Sequence, residues 1–339
     1  MGNAQNHRIV VTKRGGPEVL EVLAETVPEP GPGEVRVKTL AAGVSSYDVM
    51  LRGHWFPGMK PPYTPGEDVV GLVDKLGEGV THLEVGQRVA LWTFGDAGGY
   101  TEFICTSADR AVPVPDGLDS VEAVALVVNY LTASVAMHQI AGVQSGERIL
   151  AHGAAGGVGS ALVQLGNLAG LEVYGTASAY NHELVESLGA TPIDYRSHDF
   201  VARIRDLTGD GVDVVFDVIG GGWQLWRSSR ALRKGGRLIM LGMASAVRGG
   251  MLKIPGSMLV VGLVKILPNG KTVPMGPGME KYPAENMDWY RDTLAGFFDL
   301  AVTGKMAPVI AERFPLLEAT RAHEFMERGG YTGKVVLTC

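Results

Sequence analysis

Arg148-Ile-Leu-Ala-His-Gly-Ala-Ala-Gly-Gly-Val-Gly-Ser-Ala-Leu-Val-Gln-Leu165, closed by Leu171-Glu-Val-Tyr-Gly-Thr-Ala-Ser178, decides how the chain folds. The apolar run Ile149 to Ala151 is short enough for a buried strand. It enters a glycine cluster that opens into a helix-period run of Ala161, Leu162, Leu165, Leu168 and Ala169. Gly170 stops that helix and Leu171 to Thr176 supplies a second strand, so the stretch reads as one βαβ unit. Within it, Ala154-x-Gly156-x-x-Gly159 is the dinucleotide fingerprint with alanine in place of the first glycine. The second glycine lets backbone N–H groups approach a pyrophosphate, the third lets the helix pack on the strand, and the helix N-terminus turns its positive end to the phosphates. Ala154, Ala155, Gly156, Gly157, Val158 and Gly159 are the expected cofactor loop.

The end of the second strand selects the dinucleotide. An NAD site places Asp or Glu about 20 residues past the first fingerprint position, on the ribose 2′-hydroxyl. Here Tyr174, Gly175, Thr176, Ala177 and Ser178 occupy that region, with no acid among them. A 2′-phosphate at that place meets no carboxylate, whose repulsion would be about 4 kcal/mol per charge pair at contact distance near a surface. NADP(H) is the expected cofactor, with Ser178, His182, Tyr195 and Arg196 as donors to its phosphate. The alternative for His182 is a solvated residue in the first turn of the next helix.

At 339 residues the chain accommodates two domains and a sizeable core. A hydrophobic share of 46% with 19% charged residues fits a globular protein, and the net charge of −6 comes without a basic run, which argues against nucleic acid. No signal-like stretch and no apolar run of span length are read, so no membrane is expected. Met1-Gly2-Asn3-Ala4-Gln5-Asn6 lacks the hydroxyl residue of a myristoylation start. Cys105 and Cys339 are too few for a disulfide framework, and a cytoplasmic location is expected.

Residues 8 to 24 alternate around a Gly15-Gly16-Pro17 break, and Glu34 to Lys38, Val69 to Val73 and Arg88 to Trp92 read as short strands separated by glycine turns. This texture predicts a compact β-barrel-like domain up to about Pro115. Helical patterning then runs from Val121 to Ile140 and stops at Gly142. After the βαβ unit, helices at 183–188, 200–207 and 225–232 alternate with strands at 212–217 and 237–241, which predicts a doubly wound parallel sheet. The pattern breaks beyond Met251, and Lys265 to Ala284 reads as a long loop, either a lid or a connector. A helix at 288–302 and a strand at 333–337 close the chain.

With the N-terminal barrel, the Ala154-Ala-Gly-Gly-Val-Gly159 loop and the terminal Gly333-Lys-Val-Val-Leu337, the chain resembles the medium-chain dehydrogenase/reductase superfamily over nearly its whole length. Within it the chain is similar to the zinc-independent quinone oxidoreductase branch. The resemblance implies an α/β chain with a GroES-like β-barrel catalytic domain, residues 1–124 and 266–339, and a Rossmann dinucleotide-binding domain, residues 125–265. Zinc-dependent members hold metal through Cys in Gly-Val-Cys-x-x-Asp and His in Gly-His-Glu, whereas this chain reads Gly43-Val-Ser45-Ser-Tyr-Asp48 and Gly66-Glu67-Asp68. Hydroxyl and carboxyl replace thiolate and imidazole, so no catalytic zinc is expected. Zinc-free relatives usually carry Asn-x-x-Asp at the first place. Asp48 matches and Ser45 departs, leaving Ser45 or Tyr47 for the substrate contact; the other reading of Ser45 and Asp48 is a brace on a helix.

By the same resemblance Asn129 and Thr132 lead a helix beneath the nicotinamide, His182 stands where many relatives have lysine, Tyr195 lies near the adenosine phosphate, and Gly242 and Lys334 line the cofactor cleft. Imidazole in place of lysine weakens the phosphate contact near neutral pH. Trp55, Phe56 and Tyr63 are expected to form an aromatic wall for flat substrates, or to be ordinary loop packing, with Met251, Met258 and Leu259 opposite. The implied activity is NADPH-dependent hydride transfer to a quinone or to the β-carbon of an α,β-unsaturated carbonyl, with the proton from water or Tyr47. The alternative is an NADPH-binding protein with little turnover. A homodimer pairing near Met258 to Leu263 is also implied.

Overall fold

Alternation near the N-terminus becomes a hairpin of β1 (Gln5–Val11) and β2 (Leu20–Thr26), joined through the Gly15-Gly16-Pro17 break. The computed structural model describes residues 5–53, 59–96, 98–242, 253–266, 269–274 and 278–339. The chain divides into two units, Met1–Leu131 with Glu280–Cys339, and Thr132–Met279.

In the first unit the axis is β3 (Glu34–Val44), followed by α1 (Ser46–Arg52), β4 (Asp68–Leu76), β5 (Arg88–Trp92), β6 (Phe103–Ser107) and β7 (Val112–Pro113). Sequence alternation reveals only the first half of β3. Its second half, Ala41-Ala-Gly-Val44, is buried throughout, and its first three residues are small ones with low strand propensity. Its length lets β3 pair with β4 along one edge, and with β6 and then the C-terminal strand along the other.

Next, α2 (Ser120–Ser134) continues as a π-helix over Val135–Ala141 and ends at Gly142, whose φ of 60° suits glycine. This corrects the expectation that no run has span length: Ser120–Ala141 is long and apolar enough to cross a membrane, but 83% of its most apolar window is buried inside the protein.

The second unit alternates β8 (Arg148–His152), α3 (Gly157–Leu168), β9 (Glu172–Ala177), α4 (His182–Ser187), β10 (Thr191–Asp194), α5 (Phe200–Thr208), β11 (Val212–Asp217), α6 (Gly222–Ala231) and β12 (Leu232–Met240). Its sheet has the order β10-β9-β8-β11-β12, and every neighbouring pair is parallel. Leu150, Phe200, Ile204, Val215, Leu225 and Leu238 are among its buried core. The winding reverses between β8 and β11, the switch point at which open α/β sheets bind ligands beyond the carboxyl ends of their strands.

Beyond Met251 the structure differs from the expected break, because α7 (Lys253–Ile266) is helical, with Pro255 in its first turn where a missing N–H is tolerated. Inside the expected loop, Thr272 bridges Arg237 and extends the sheet beside β12. The chain then returns to the first unit through α8 (Lys281–Glu285), α9 (Met287–Val302), β13 (Ile310–Pro315), α10 (Ala319–Arg328) and β14 (Lys334–Thr338). That sheet has the order β13-β14-β3-β4-β5-β7, with β6 on β3.

Candidate active site

In the second unit, the chain leaves β8 at His152 and turns through Gly153, with the Ala154 N–H donating to Thr176 O at 3.0 Å and the Gly156 N–H to Gly153 O at 2.9 Å. α3 starts at Gly157 with Gly156 as its N-cap, and no side chain caps it. An N-terminus of that kind offers backbone N–H groups and positive dipole to an anion. A β-carbon on Gly159 would lie 2.0 Å from Gly153 O, so only glycine lets helix and turn approach this closely. The loop fits a dinucleotide pyrophosphate on these grounds.

At the far side of the loop, the Ser178 hydroxyl donates to the Tyr195 hydroxyl at 3.4 Å, and the Arg196 guanidinium lies 5.8 Å from the Tyr195 ring centroid. The nearest acid at the end of β10, Asp194, is occupied by Ser197 Oγ at 2.6 Å and the Arg196 N–H at 3.0 Å. His182 opens α4, and its Nε2 is buried without a hydrogen-bond partner among the described residues. Gly242 follows β12, where a β-carbon would meet Val218 O at 2.9 Å. Asn129 and Thr132, three residues apart on α2, are both buried.

A buried polar network beneath the loop escaped sequence reasoning. His152 Nδ1 lies 2.9 Å from Thr176 Oγ1, and His152 Nε2 lies 3.0 Å from Ser228 Oγ. The Ser228 hydroxyl donates to Asp217 Oδ2 at 2.7 Å, while Asp217 Oδ1 accepts the Ile219 and Gly220 N–H groups at 2.9 Å each. Burial pushes the His152 pKa down, so the imidazole is neutral. The bonds themselves set its tautomer: Ser228 spends its proton on Asp217, so Nε2–H donates to Ser228 and Nδ1 accepts from Thr176. Thr176 Oγ1 in turn accepts the Gly153 N–H at 3.3 Å, which ties the cofactor turn to the ends of β8, β9 and β11. The signal available in sequence was a histidine ending a buried strand immediately before the glycine cluster.

In the first unit, Ser45 and Asp48 form a reciprocal capping box on α1. Asp48 accepts the Ser45 N–H at 2.8 Å, the Ser45 hydroxyl at 2.7 Å, the Gly66 N–H at 2.9 Å and the Tyr100 hydroxyl at 3.4 Å. Burial pushes its pKa up, while these donors and Lys334 pull it back. Tyr100 also faces His323 Nε2 at 3.3 Å. Tyr47 is half-buried, and its phenol is pushed up to about 12 by burial and then by the charges of Glu280, Glu67 and Asp48. Tyr63, whose hydroxyl is buried without a partner among the described residues, stands within electrostatic reach of Asp48 and Tyr47.

Lys334 donates to Asp68 at 2.7 Å with side-chain exposures of 3% and 0%. Glycine at position 43 makes the room, because a β-carbon there would lie 2.2 Å from Asp68 Oδ1 and 2.4 Å from Lys334 Cε. Glu67, read in the sequence only as a lost metal ligand, is 5% exposed, and its Oε1 has no hydrogen-bond partner among the described residues. The structure thus brings Ser45, Tyr47, Asp48, Tyr63 and Lys334 together with Glu67, Asp68 and Glu280. Trp55, Phe56 and Met251 lie outside the described residues, and Met258 is exposed on α7 with Leu259, Leu263 and Ile266.

The donor set does not fit zinc. Ser45 and Glu67 offer hard oxygen where tetrahedral zinc favours sulfur and nitrogen, and no group of three metal-ligating side chains occurs among the described residues. Burial pushes the Cys105 thiol up to about 11, so it is not a thiolate at neutral pH.

Two family models match the chain, an alcohol dehydrogenase GroES-like domain over residues 31–116 and a zinc-binding dehydrogenase over residues 188–337. Rattus norvegicus quinone oxidoreductase is 32% identical over 337 residues, covering 97% of this chain and 96% of the relative. The Homo sapiens synaptic vesicle membrane protein VAT-1 homolog is 34% identical over 246 residues, which is 71% of this chain and 62% of the relative. Among solved structures, the quinone oxidoreductase of Pseudomonas syringae pv. Tomato DC3000 has a TM-score of 0.84 at 30% identity, covering 98% of this chain and 100% of that one. A mycobacterial protein complexed with NADPH has a TM-score of 0.83 at 30% identity, with the same coverage of 98% and 100%. Full-length similarity to quinone oxidoreductases and a donor set unsuited to zinc place the chain in the zinc-independent quinone oxidoreductase branch of the medium-chain dehydrogenase/reductase superfamily.

Proposed function

We propose that this chain is an NADPH-dependent reductase that transfers hydride to a quinone or to the β-carbon of an α,β-unsaturated carbonyl without zinc. The observation that carries this reading is the side-chain-free N-terminus of α3 at the switch point, combined with a β9 end that bears Ser178 and no acid, beside Tyr195 and Arg196 from the end of β10, where Asp194 is engaged by Ser197 and the Arg196 N–H. The similar structure solved with NADPH supports the same cofactor. When bound, the nicotinamide supplies the hydride. Residues 154–159 hold the pyrophosphate, Ser178, His182 and Tyr195 the 2′-phosphate, and Asn129, Thr132 and Gly242 the nicotinamide end. Tyr47 donates a hydrogen bond to the substrate oxygen as charge develops there, and Ser45, whose hydroxyl proton goes to Asp48, lies beside it on the substrate side. Asp48, saturated by its own donors, fixes Ser45. Lys334 acts on the site through Asp68, and Tyr63, Trp55, Phe56, Met251 and Met258 belong to the substrate side.

A conjugated carbonyl or quinone spreads the developing charge over its oxygen, so hydrogen-bond donors suffice where a simple ketone needs a stronger electrophile. The exposed apolar face of α7, Met258 to Leu263, supports a homodimer, and two cysteines, too few for a disulfide framework, suit a cytoplasmic location. A second reading, NADPH binding with little turnover, is favoured by the similarity to the vesicle membrane relative. Oxidation of NADPH in chelator-containing buffer, with a simple quinone and a medium-chain 2-alkenone offered in parallel and NADH as control, separates the two. Turnover that survives the chelator supports the reductase; saturable NADPH binding without turnover supports the second reading.

A further inference from the structure

We propose that Glu67 is the acid that protonates the substrate in this reduction. The proposal rests on the reductase reading above and adds to it the source of the proton. Glu67 is pinned by its backbone: its carbonyl accepts the Thr93 N–H at 2.8 Å, its predecessor Gly66 donates to Asp48, and its successor Asp68 holds Lys334. Its side chain is 5% exposed and Oε1 has no hydrogen-bond partner among the described residues. A buried carboxylate oxygen without a donor costs far more than the same oxygen on a neutral carboxylic acid, so burial favours the protonated form.

The groups around it point the same way. Tyr47 and Asp48 on α1, Asp68 on β4, Glu280 in the turn before α8 and Lys334 on β14 all lie within electrostatic reach of it. Burial raises the Glu67 pKa well above the ordinary value, the charges of Asp48, Glu280 and Asp68 raise it further, and Lys334 opposes them while committed to Asp68.

The groups of this cluster differ in the acidity of the protons they hold. Tyr47 holds its proton up to about 12. Asp48 accepts from four donors and has no proton to give. Lys334 donates to Asp68, and His323, held down to about 3, is neutral beside Tyr100. Among the groups that still hold a proton, Glu67 is the carboxylic acid and so a stronger acid than the Tyr47 phenol within its electrostatic reach.

The step balances. Hydride adds to the β-carbon, the C=C electron pair moves to the α-carbon and oxygen, the Glu67 O–H bond breaks and its proton bonds to the α-carbon, leaving the electron pair on the carboxylate. With a quinone, the ring takes two electrons with the hydride and the proton goes to the oxygen, giving a hydroquinone. The carboxylate left beside Asp48 and Glu280 regains a proton from solvent, which reaches the cluster past the half-buried Tyr47 and Glu280.

Glu67→Gln in the full chain keeps shape and removes the acid. The expected result is kcat lower by about 10²-fold at unchanged NADPH affinity, with loss of the high-pH limb that marks ionisation of the wild-type acid. A variant with kcat within about threefold of wild type and the same limb overturns the proposal. Infrared spectra of the wild type with isotope-labelled glutamate give a readout independent of turnover and of the variant's folding: a protonated glutamate at neutral pH, lost in Glu67→Gln where that variant folds, supports the proposal, and its absence overturns it. An inactive wild type that still shows the protonated glutamate strikes the reductase reading.

Discussion

The buried Asp68–Lys334 pair offers the sharpest test of how the first unit is held together. Lys334 opens β14, Asp68 opens β4, and β3 runs between them with Gly43 vacating the space for both side chains. Breaking a buried pair by removing one partner costs about 3–5 kcal/mol, because the other charge stays buried and uncompensated. The two single removals differ here. Asp68→Asn leaves the ammonium within reach of the Asp48 charge, so its cost falls near the low end, about 3 kcal/mol. Lys334→Met removes the cation that Asp68 and Asp48 share, so its cost falls near the upper end, about 5 kcal/mol. Each kcal/mol moves the melting temperature of a unit this size by about 2–4 °C, so Lys334→Met lowers Tm by about 10–20 °C and Asp68→Asn by about 6–12 °C. The double variant Asp68→Leu with Lys334→Met removes both charges and recovers most of the loss. Scanning calorimetry at low and high salt reads all four proteins, and burial predicts that salt changes the differences little. Single variants within about 2 °C of wild type, or a double variant no better than Lys334→Met, refute the reasoning.

Gly159→Ala drives a β-carbon to 2.0 Å from Gly153 O, so α3 and the turn separate and NADPH affinity falls by about 10–100-fold in a fluorescence titration; a change within about twofold refutes it. His323 is held down from 6.5 to about 3 by burial, with Arg52 adding to the effect. Between those values the unfolded chain binds a proton that the folded chain refuses, so stability is lost as pH falls, by up to about 1.4 kcal/mol per pH unit. His323→Asn therefore flattens the acid limb of urea stability between neutral pH and the acid range, and an unchanged limb refutes the assignment. Leu259→Glu on the exposed face of α7 converts the proposed dimer to monomer in sedimentation, and a dimer of unchanged affinity places the interface elsewhere.

The βαβ unit was legible because its signals are local. Strand, glycine turn and helix follow each other within Arg148 to Ser178, and period and turn chemistry act between near neighbours. The strand Val212–Asp217 and the helix stop at Gly142 were legible for the same reason. Less could be read where structure depends on distant partners. The second half of β3 has few strand-forming side chains and is a strand because β4 and β14 flank it. α7 was hidden because a proline near its start and a glycine in its middle break the expected pattern, although neither prevents a helix there.

The candidate site divides along the same line. Ser45 and Asp48 stand three residues apart, and a capping box is a local motif. Lys334 and Asp68 are 266 residues apart, and nothing in either neighbourhood names the other. Glu67 appeared in the sequence only as a residue that zinc would not favour; its chemistry comes from burial and from carboxyl groups delivered by α1 and the returning chain. By itself the sequence determined the dinucleotide fold, the preference for a phosphate-bearing cofactor and the donor set unsuited to zinc, because each rests on residue types at fixed short spacing. Only the tertiary structure decided which charges are paired, which polar atoms are left without partners and which acid keeps its proton, because those properties depend on desolvation and on neighbours brought together by folding.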